Sequence, residues 1–380
     1  MTSPSPIRVL LIGTSFGGAV HAPGFASDPA FKLVGVASGH EENARRVAEA
    51  HGIPYASADW KKMLDEVEAD LVAIASPVDL HYPMARAALE RQCHVLLEKP
   101  FALNAAQARE LAALAKAHDL VAVVNHEFRH KPGRAALARW ISEGKLGRVE
   151  HIVMRTRLPG WARDPGRRLT WLTEKERGGG FLGALGSHDV DQLTLYAGPV
   201  RRLFARLGHL APTAPGVSAA HRAITAEDSY TLFLEFKSGA TGVIDTFGGA
   251  RQRSETIEAF GSDDAFVVME GDRIGRPAPQ GGVEEVPIPD DLKLTPTPET
   301  ALLAPFKVKV ALLREAIHAG NPAAASPTFA EALEVQKVLD AARKSDQTGL
   351  WVAIEEEREA PAPKARKAAA SKAPRRSSVG

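Results

Sequence analysis

From Ile7 to Val124 the chain alternates short apolar runs with stretches of helical periodicity. The runs Ile7 to Ile12, Leu33 to Ala37, Leu71 to Ala75, His94 to Glu98 and Val121 to Val124 lack a polar alternation, the pattern of strands buried on both faces. Between them the spacing predicts helices near Asn43 to His51, Trp60 to Val67, Leu80 to Arg91 and Asn104 to His118, the last with Asn104 as its N-cap. Strand and helix in alternation specify an α/β fold with a doubly wound parallel sheet.

After Pro132 the pattern changes. A helix to Glu143, closed by Gly144, leads into strands over Val149 to Arg157, Arg201 to Leu207, Tyr230 to Phe236, Thr241 to Thr246, Glu255 to Ala259 and Ala265 to Met269. The turns Lys237-Ser238-Gly239 and Gly261-Ser262-Asp263 are tight, which implies antiparallel hairpins. The second half therefore reads as α+β with a large, mainly antiparallel open sheet. Helices near Pro305 to Ala319 and Phe329 to Arg343 finish it, and no internal repeat shows.

With 380 residues, 44% of them hydrophobic, the chain can bury a sizeable core in each of two domains. A net charge of +1 supplies no long-range field to gather nucleic acid or an acidic membrane. The single cysteine, Cys93, opens an apolar run and excludes a disulfide framework. Met1 to Pro6 carry no basic leader and Ile7 to Ile12 is too short to span a bilayer, so the expected location is cytoplasmic, with no membrane partner. From Glu355 the chain is charge, alanine and proline, and the segment 355–380 is expected to be a disordered, solvated tail.

The first strand runs straight into Gly13-Thr14-Ser15-Phe16-Gly17-Gly18. Against a G-x-G-x-x-G dinucleotide turn, Gly13 and Gly18 fit and Ser15 replaces the middle glycine. The position of this turn after the first strand of a β/α series points to a nucleotide, with Phe16 and Gly17 in the same turn. At the end of the second strand stands Ser38 rather than an acid that would repel a 2′-phosphate, while Arg45, Arg46, Glu41 and Glu42 follow. NADP therefore fits at least as well as NAD, although Glu41 and Glu42 could still serve the ribose of NAD and the choice stays open. Ser76 and Pro77 end the third strand run, where a cofactor would lie.

The glycine turn with His21, Ser76-Pro77 with His81, Glu98-Lys99-Pro100, and Gly178-Gly179-Gly180 followed by Gly186-Ser187-His188-Asp189-Val190-Asp191 resemble the Gfo/Idh/MocA family, over residues 7 to about 350. The family is named for glucose-fructose oxidoreductase, inositol dehydrogenase and a rhizopine catabolism protein. The resemblance implies a Rossmann NAD(P)-binding domain at 1–125 and a substrate-binding α+β domain at 126–354. The open sheet of the second domain would make a homodimer or homotetramer. It implies oxidation or reduction of a sugar, cyclitol or related polyol, with Lys99 at the reacting oxygen and His188 taking or relaying the proton. Glu98 would position Lys99, and Glu98, Lys99 and His81 would also lie against the cofactor. No metal is implied.

One position departs from the family. Where members carry an aspartate four residues before the histidine, this chain has Ala184. Asp189 or Asp191 could substitute, and Asp191 is expected to border the substrate. The departure keeps open a cofactor-binding relative without turnover, a sensor or scaffold, and the family also leaves open transient oxidation serving glycoside cleavage or epimerisation.

His126-Glu127-Phe128-Arg129-His130 spells H-E-x-x-H, but it follows a strand and Pro132 restricts Lys131, so a zinc-protease helix does not fit. Asn125, Glu127 and Arg129 are read instead as lining the crossover near the substrate, and the family's corresponding stretch ends in a similar Arg-x-x-Pro. Trp161 and Trp171 lie in a long polar stretch with Arg163, Arg167 and Arg168, where aromatics could stack on a sugar ring.

Overall fold

The computed structural model describes residues 5–159, 169–210, 224–297 and 300–354. Its first sheet runs in the order β3-β2-β1-β4-β5-β6 and every pairing in it is parallel. The strands are β1 (Ile7–Ile12), β2 (Phe31–Ala37), β3 (Tyr55–Ser57), β4 (Leu71–Ile74), β5 (His94–Leu97) and β6 (Ala122–Val124). Chain order reverses between β1 and β4, which opens a crevice at their carboxyl ends, where ligands of doubly wound sheets bind. Helices α1 (Ala22–Ala26) and α2 (Glu41–His51) cover one face; α3 (Trp60–Glu66), α4 (His81–Glu90) and α5 (Ala105–Ala117) cover the other. The side chain of Asn104 accepts from the Gln107 N–H at 3.0 Å, as its N-cap position requires.

The second sheet has the order β14-β13-β12-β11-β7-β10-β9-β8-β15. It is antiparallel apart from the parallel pair of β7 (Val149–Pro159) and β10 (Thr241–Ala250). Its other strands are β8 (Val200–Gly208), β9 (Ser229–Phe236), β11 (Ser254–Gly261), β12 (Ala265–Met269), β13 (Arg273–Pro277), β14 (Val283–Glu285) and β15 (Val352–Ala353). One face carries Ile152, Met154, Leu232, Leu234 and Ile257 into a core under α6 (Pro132–Ser142) and α7 (Ser187–Ala197). The opposite face leaves Phe233 44% exposed beside Phe204, their ring centroids 6.4 Å apart.

Helices α8 (Leu303–Ala319) and α9 (Phe329–Thr348) return to the parallel sheet. Phe306, Val310, Leu313 and Ala316 of α8 complete the core that holds Val9, Leu11 and Phe25. Burying one such side chain contributes about 1.5–3 kcal/mol, so α8 is part of what stabilises the first sheet. The helix α9 serves both cores: Phe329, Ala332 and Leu333 pack with the parallel sheet, Val335, Val338 and Leu339 with the second. Its start is fixed by a capping box between Thr328 and Glu331.

Strands β3, β13, β14 and β15 escape the hydrophobic pattern. They are two to five residues long, and Tyr55, Arg273, Gly275 and Pro277 give them no apolar alternation. Among the described residues no helix is long and apolar enough to cross a membrane.

Candidate active site

The dinucleotide turn is shaped by close backbone approach. Gly13 has φ +107°, and a Cβ there would stand 2.2 Å from the Ala75 carbonyl oxygen. Only glycine lets the exit of β1 pass so near the end of β4. A Cβ on Gly18 would meet Val47 Cγ2 at 2.9 Å. Ser15 is exposed, so the middle position of the fingerprint tolerates a side chain where Gly13 does not. Phe16 leads into a wide turn, Gly17–His21, that continues into α1. Ser38 pairs with Thr14, hydroxyl to hydroxyl, at 2.9 Å, and Arg45 is held by Glu41 at 2.5 Å. Half-buried Ser76 and Pro77 lie at the edge of the same crevice. An open turn with main chain accessible at Ser15 fits a dinucleotide pyrophosphate.

Glu98 ties that turn to the next strand. Its Oε1 accepts from Asn125 Nδ2 at 2.6 Å and lies 2.9 Å from His21 Nε2. Burial pushes the Glu98 carboxyl up, but the His21 hydrogen bond, the charges of His21 and Lys99 and the Asn125 bond together pull it below the usual carboxylate range. His21 in turn stacks on Phe306, centroids 4.5 Å apart. The Lys99–Pro100 peptide bond is cis. His81 is buried with Nδ1 2.9 Å from the Pro100 carbonyl oxygen and Nε2 3.0 Å from that of Ser76. Both ring nitrogens thus face main chain, which makes His81 a prop between two strand ends rather than a ligand-facing group. Lys99 extends away from this frame and its Nζ donates to the Ala184 carbonyl oxygen at 3.1 Å.

The triple glycine is dictated by packing. A Cβ on Gly179 would stand 2.4 Å from the Trp171 carbonyl oxygen, and one on Gly180 (φ +107°) 2.2 Å from Glu227 Oε1. The stretch then enters a wide turn, Leu182–Gly186, and α7. His188 on α7 is 2% exposed and stacks on Phe128 with centroids 3.9 Å apart. Neither of its ring nitrogens has a hydrogen-bond partner. Burial, reinforced by the cations of Lys99, His126, Arg134 and Lys131, holds the ring well below the ordinary histidine range. At neutral pH His188 is an uncharged imidazole with both nitrogens available.

Its neighbours on α7 differ. Asp189 accepts from the Tyr230 hydroxyl at 2.5 Å, and burial raises it to about 6 against the pull of Arg134. Asp191 accepts from Arg129 Nε and Nη2, both at 2.6 Å, and stands 3.0 Å from His126 Nδ1. Burial opposes its charge, yet Arg129 and His126 hold it below the usual carboxylate range. Arg129 and Asp191 were expected against the substrate; their polar atoms are engaged with each other.

The stretch Asn125 to His130 leaves β6 and makes a single turn, Glu127–His130, before α6, so the two histidines of H-E-x-x-H do not share a helical face. Glu127 is 1% exposed and its Oε2 has no hydrogen-bond partner. Burial and the charge of Glu98 raise its carboxyl to about 8, with Lys99 pulling the other way. Phe128 and Lys131 open onto a cavity of about 1110 Å³ whose wall also includes Asp189, Leu185, Leu158 and Glu255. Trp171 is half-buried in a turn beside the triple glycine; Trp161, with Arg163, Arg167 and Arg168, lies outside the described residues. Among the described residues no group of three His, Cys, Asp or Glu is arranged to hold a metal.

Sequence reasoning passed over Phe128, Lys131, Arg134 and Glu255. Arg134 is fully buried with Nη2 2.8 Å from Glu255 Oε1. An arginine three residues before Leu137, on the apolar stripe of a helix, was the available sign.

A switch-point crevice with a glycine turn, next to a half-buried lysine and a buried histidine without hydrogen-bond partners, defines a dinucleotide-dependent oxidoreductase. Residues 7–126 match the oxidoreductase family with an NAD-binding Rossmann fold, and residues 135–267 match the Gfo/Idh/MocA C-terminal domain. The chain belongs to the Gfo/Idh/MocA oxidoreductase family. An uncharacterised oxidoreductase of Synechocystis sp. is 28% identical over 366 residues, 93% of this chain and 98% of that protein. Levoglucosan dehydrogenase of Pseudarthrobacter phenanthrenivorans is 27% identical over 285 residues, 69% of this chain and 73% of its own. An oxidoreductase domain protein from Kribbella flavida superposes with a TM-score of 0.81 at 27% identity, covering 93% of this chain and 100% of that one. Levoglucosan dehydrogenase in complex with NADH and levoglucosan shares the fold at a TM-score of 0.82 and 24% identity, with the same coverage.

Proposed function

We propose that the protein transfers hydride between a nicotinamide cofactor and a sugar, cyclitol or related polyol or ketone. The observation that carries this reading is the meeting of Lys99 and His188 at one turn: Lys99 Nζ reaches the Ala184 carbonyl, and His188, four residues on, keeps two unpartnered buried nitrogens. When bound, the nicotinamide supplies the hydride acceptor or donor. Lys99 hydrogen-bonds the reacting oxygen and stabilises alkoxide character there, and neutral His188 orients the hydroxyl and relays its proton.

Gly13, Ser15, Phe16, Gly17 and Gly18 would hold the pyrophosphate, Ser38 the adenosine ribose, and Ser76, Pro77, Glu98 and Lys99 the nicotinamide side. Because Glu41 is taken up by Arg45 and no acid stands at Ser38, the ribose site accepts NADP(H) as well as NAD(H). Asn125, Glu127 and Trp171 border the substrate, while the Arg129–Asp191 pair fixes the crossover that carries them. The mixed polar and apolar wall of the adjoining cavity suits a ring with hydroxyls on its edges and C–H groups on its faces.

In this reading residues 1–125 hold the dinucleotide and 126–354 the substrate. The face of the second sheet that exposes Phe233 joins a second copy, giving a homodimer or homotetramer. A cytoplasmic setting suits the single buried thiol, Cys93. The test is a panel of sugars and polyols with NAD and NADP, read by absorbance of the reduced nicotinamide. Absence of NADH and NADPH binding in calorimetry would exclude the reading.

A further inference from the structure

We propose that Glu127 is the proton-accepting group of the reaction, taking over at this site the part that a carboxylate at position 184 would otherwise play. The inference rests on the oxidoreductase reading above. His188 is held neutral by burial and the charges of Lys99, Arg134 and Lys131 around it, so it passes a proton on and does not keep one. Lys99 spends one donor on the Ala184 carbonyl. Ala184 offers no side-chain acceptor.

Glu127 supplies what is missing. Its turn hands Phe128 to the face of His188 and leaves the Glu127 carboxyl in the field of Glu98 and Lys99 at the end of β5, with Lys131 and Lys309 as the other charges around it. One carboxyl oxygen is buried and unpartnered. Its neighbour Glu98 is already bonded to His21 and Asn125, so the two buried acids divide the work: Glu98 stays ionised and structural, Glu127 takes and gives the proton. In the oxidative direction the O–H bond of the alcohol breaks and its proton forms a new O–H bond on Glu127. The electron pair left on oxygen becomes the second C–O bond as hydride departs to the oxidised nicotinamide. A proton affinity near 8 places that exchange close to working pH.

The test compares wild type, Glu127→Gln and Glu127→Asp. Oxidation by the wild type should show an acid limb in kcat/KM, the rate falling as pH drops below about 8. Glu127→Gln should lose the limb and about 10²–10⁴-fold in rate, and Glu127→Asp should keep the limb. A readout without cofactor or substrate is Tm against pH. A buried acid raised above its unfolded value stabilises below that value and loses the contribution as pH rises toward 8, so Glu127→Gln should be the more stable protein at pH 9. A Gln variant that retains both limb and rate overturns the role of Glu127 while leaving the oxidoreductase reading intact. Wild-type inactivity across the panel, with no NADH or NADPH binding, counts against both.

Discussion

Lys99 Nζ donates to the carbonyl oxygen of Ala184 at 3.1 Å, so main chain occupies the lysine where the resembled family presents a carboxylate. The contact leaves the ammonium two further donors for a substrate oxygen. Lys99→Ala should therefore lower kcat/KM by about 10²–10³-fold, the cost of one donor at a developing oxyanion, with Tm unchanged within 2–3 °C or so. Steady-state kinetics beside a thermal melt separate the two effects; an equal fall in Tm would mark Lys99 as structural.

If Glu127 has inherited the proton, restoring an acid at 184 should relieve its loss. Ala184 is half-buried next to Lys99, which can pair with an introduced carboxylate. In the Glu127→Gln background, Ala184→Asp should recover about tenfold or more in kcat/KM, whereas in the wild type it should change the rate by less. A double-mutant cycle measures the difference.

The Arg129–Asp191 pair predicts a stability effect. Removing one partner leaves the other charged, buried and unpaired, so Asp191→Ala should cost about 3–5 kcal/mol in denaturant unfolding at pH 7. Asp191 is depressed in the fold, so its contribution is complete above the usual carboxylate range and is lost as pH falls. The gap between wild type and Asp191→Asn should accordingly narrow on acidification; a constant gap would show that shape, not charge, carries the effect.

Lys309 shows the same sign in a more alkaline window. It is fully buried, donates to the carbonyl oxygens of Ala325 (2.5 Å) and Ser326 (2.9 Å), and burial lowers it to about 7, with Arg129 adding to the shift. The unfolded chain binds this proton up to about pH 10, so between pH 7 and 10 the unfolded state carries more protons and stability should rise with pH. Melts of wild type and Lys309→Met across that window test this: the slope should flatten in the variant.

Cofactor choice follows from Ser38. No acid stands at position 38 itself, where Ser38 bonds Thr14, and the nearby Glu41 is paired with Arg45. Kd values for NADH and NADPH should lie within about tenfold of each other, roughly 1.4 kcal/mol. Ser38→Asp should favour NADH. A preference of a thousandfold in the wild type would refute the reading of this pocket.

Periodicity disclosed the parallel sheet, its helices, Asn104 as a cap and most of the second sheet because each is set by residues close in sequence. The Glu98-Lys99 turn and His188 were legible for the same reason. What periodicity could not disclose is pairing across distance: Arg129 with Asp191, Lys99 with the carbonyl of Ala184, and Phe306 against His21 join segments 62, 85 and 285 positions apart. The triple glycine likewise answers to distant partners, the close approach of Trp171 and Glu227. From sequence Arg129 and Asp191 read as bordering the substrate, and only geometry shows them engaged with each other.

The helix α8 closes the face of the first sheet with Phe306, Val310 and Leu313, residues made long after β6, the last strand of that sheet. The nucleotide half of the molecule, although synthesised first, must wait for that late segment with an apolar face uncovered. Fragments ending near residue 300 should then be captured by chaperones or aggregate. A frameshift late in the coding sequence would be as damaging to the cofactor site as one near its start.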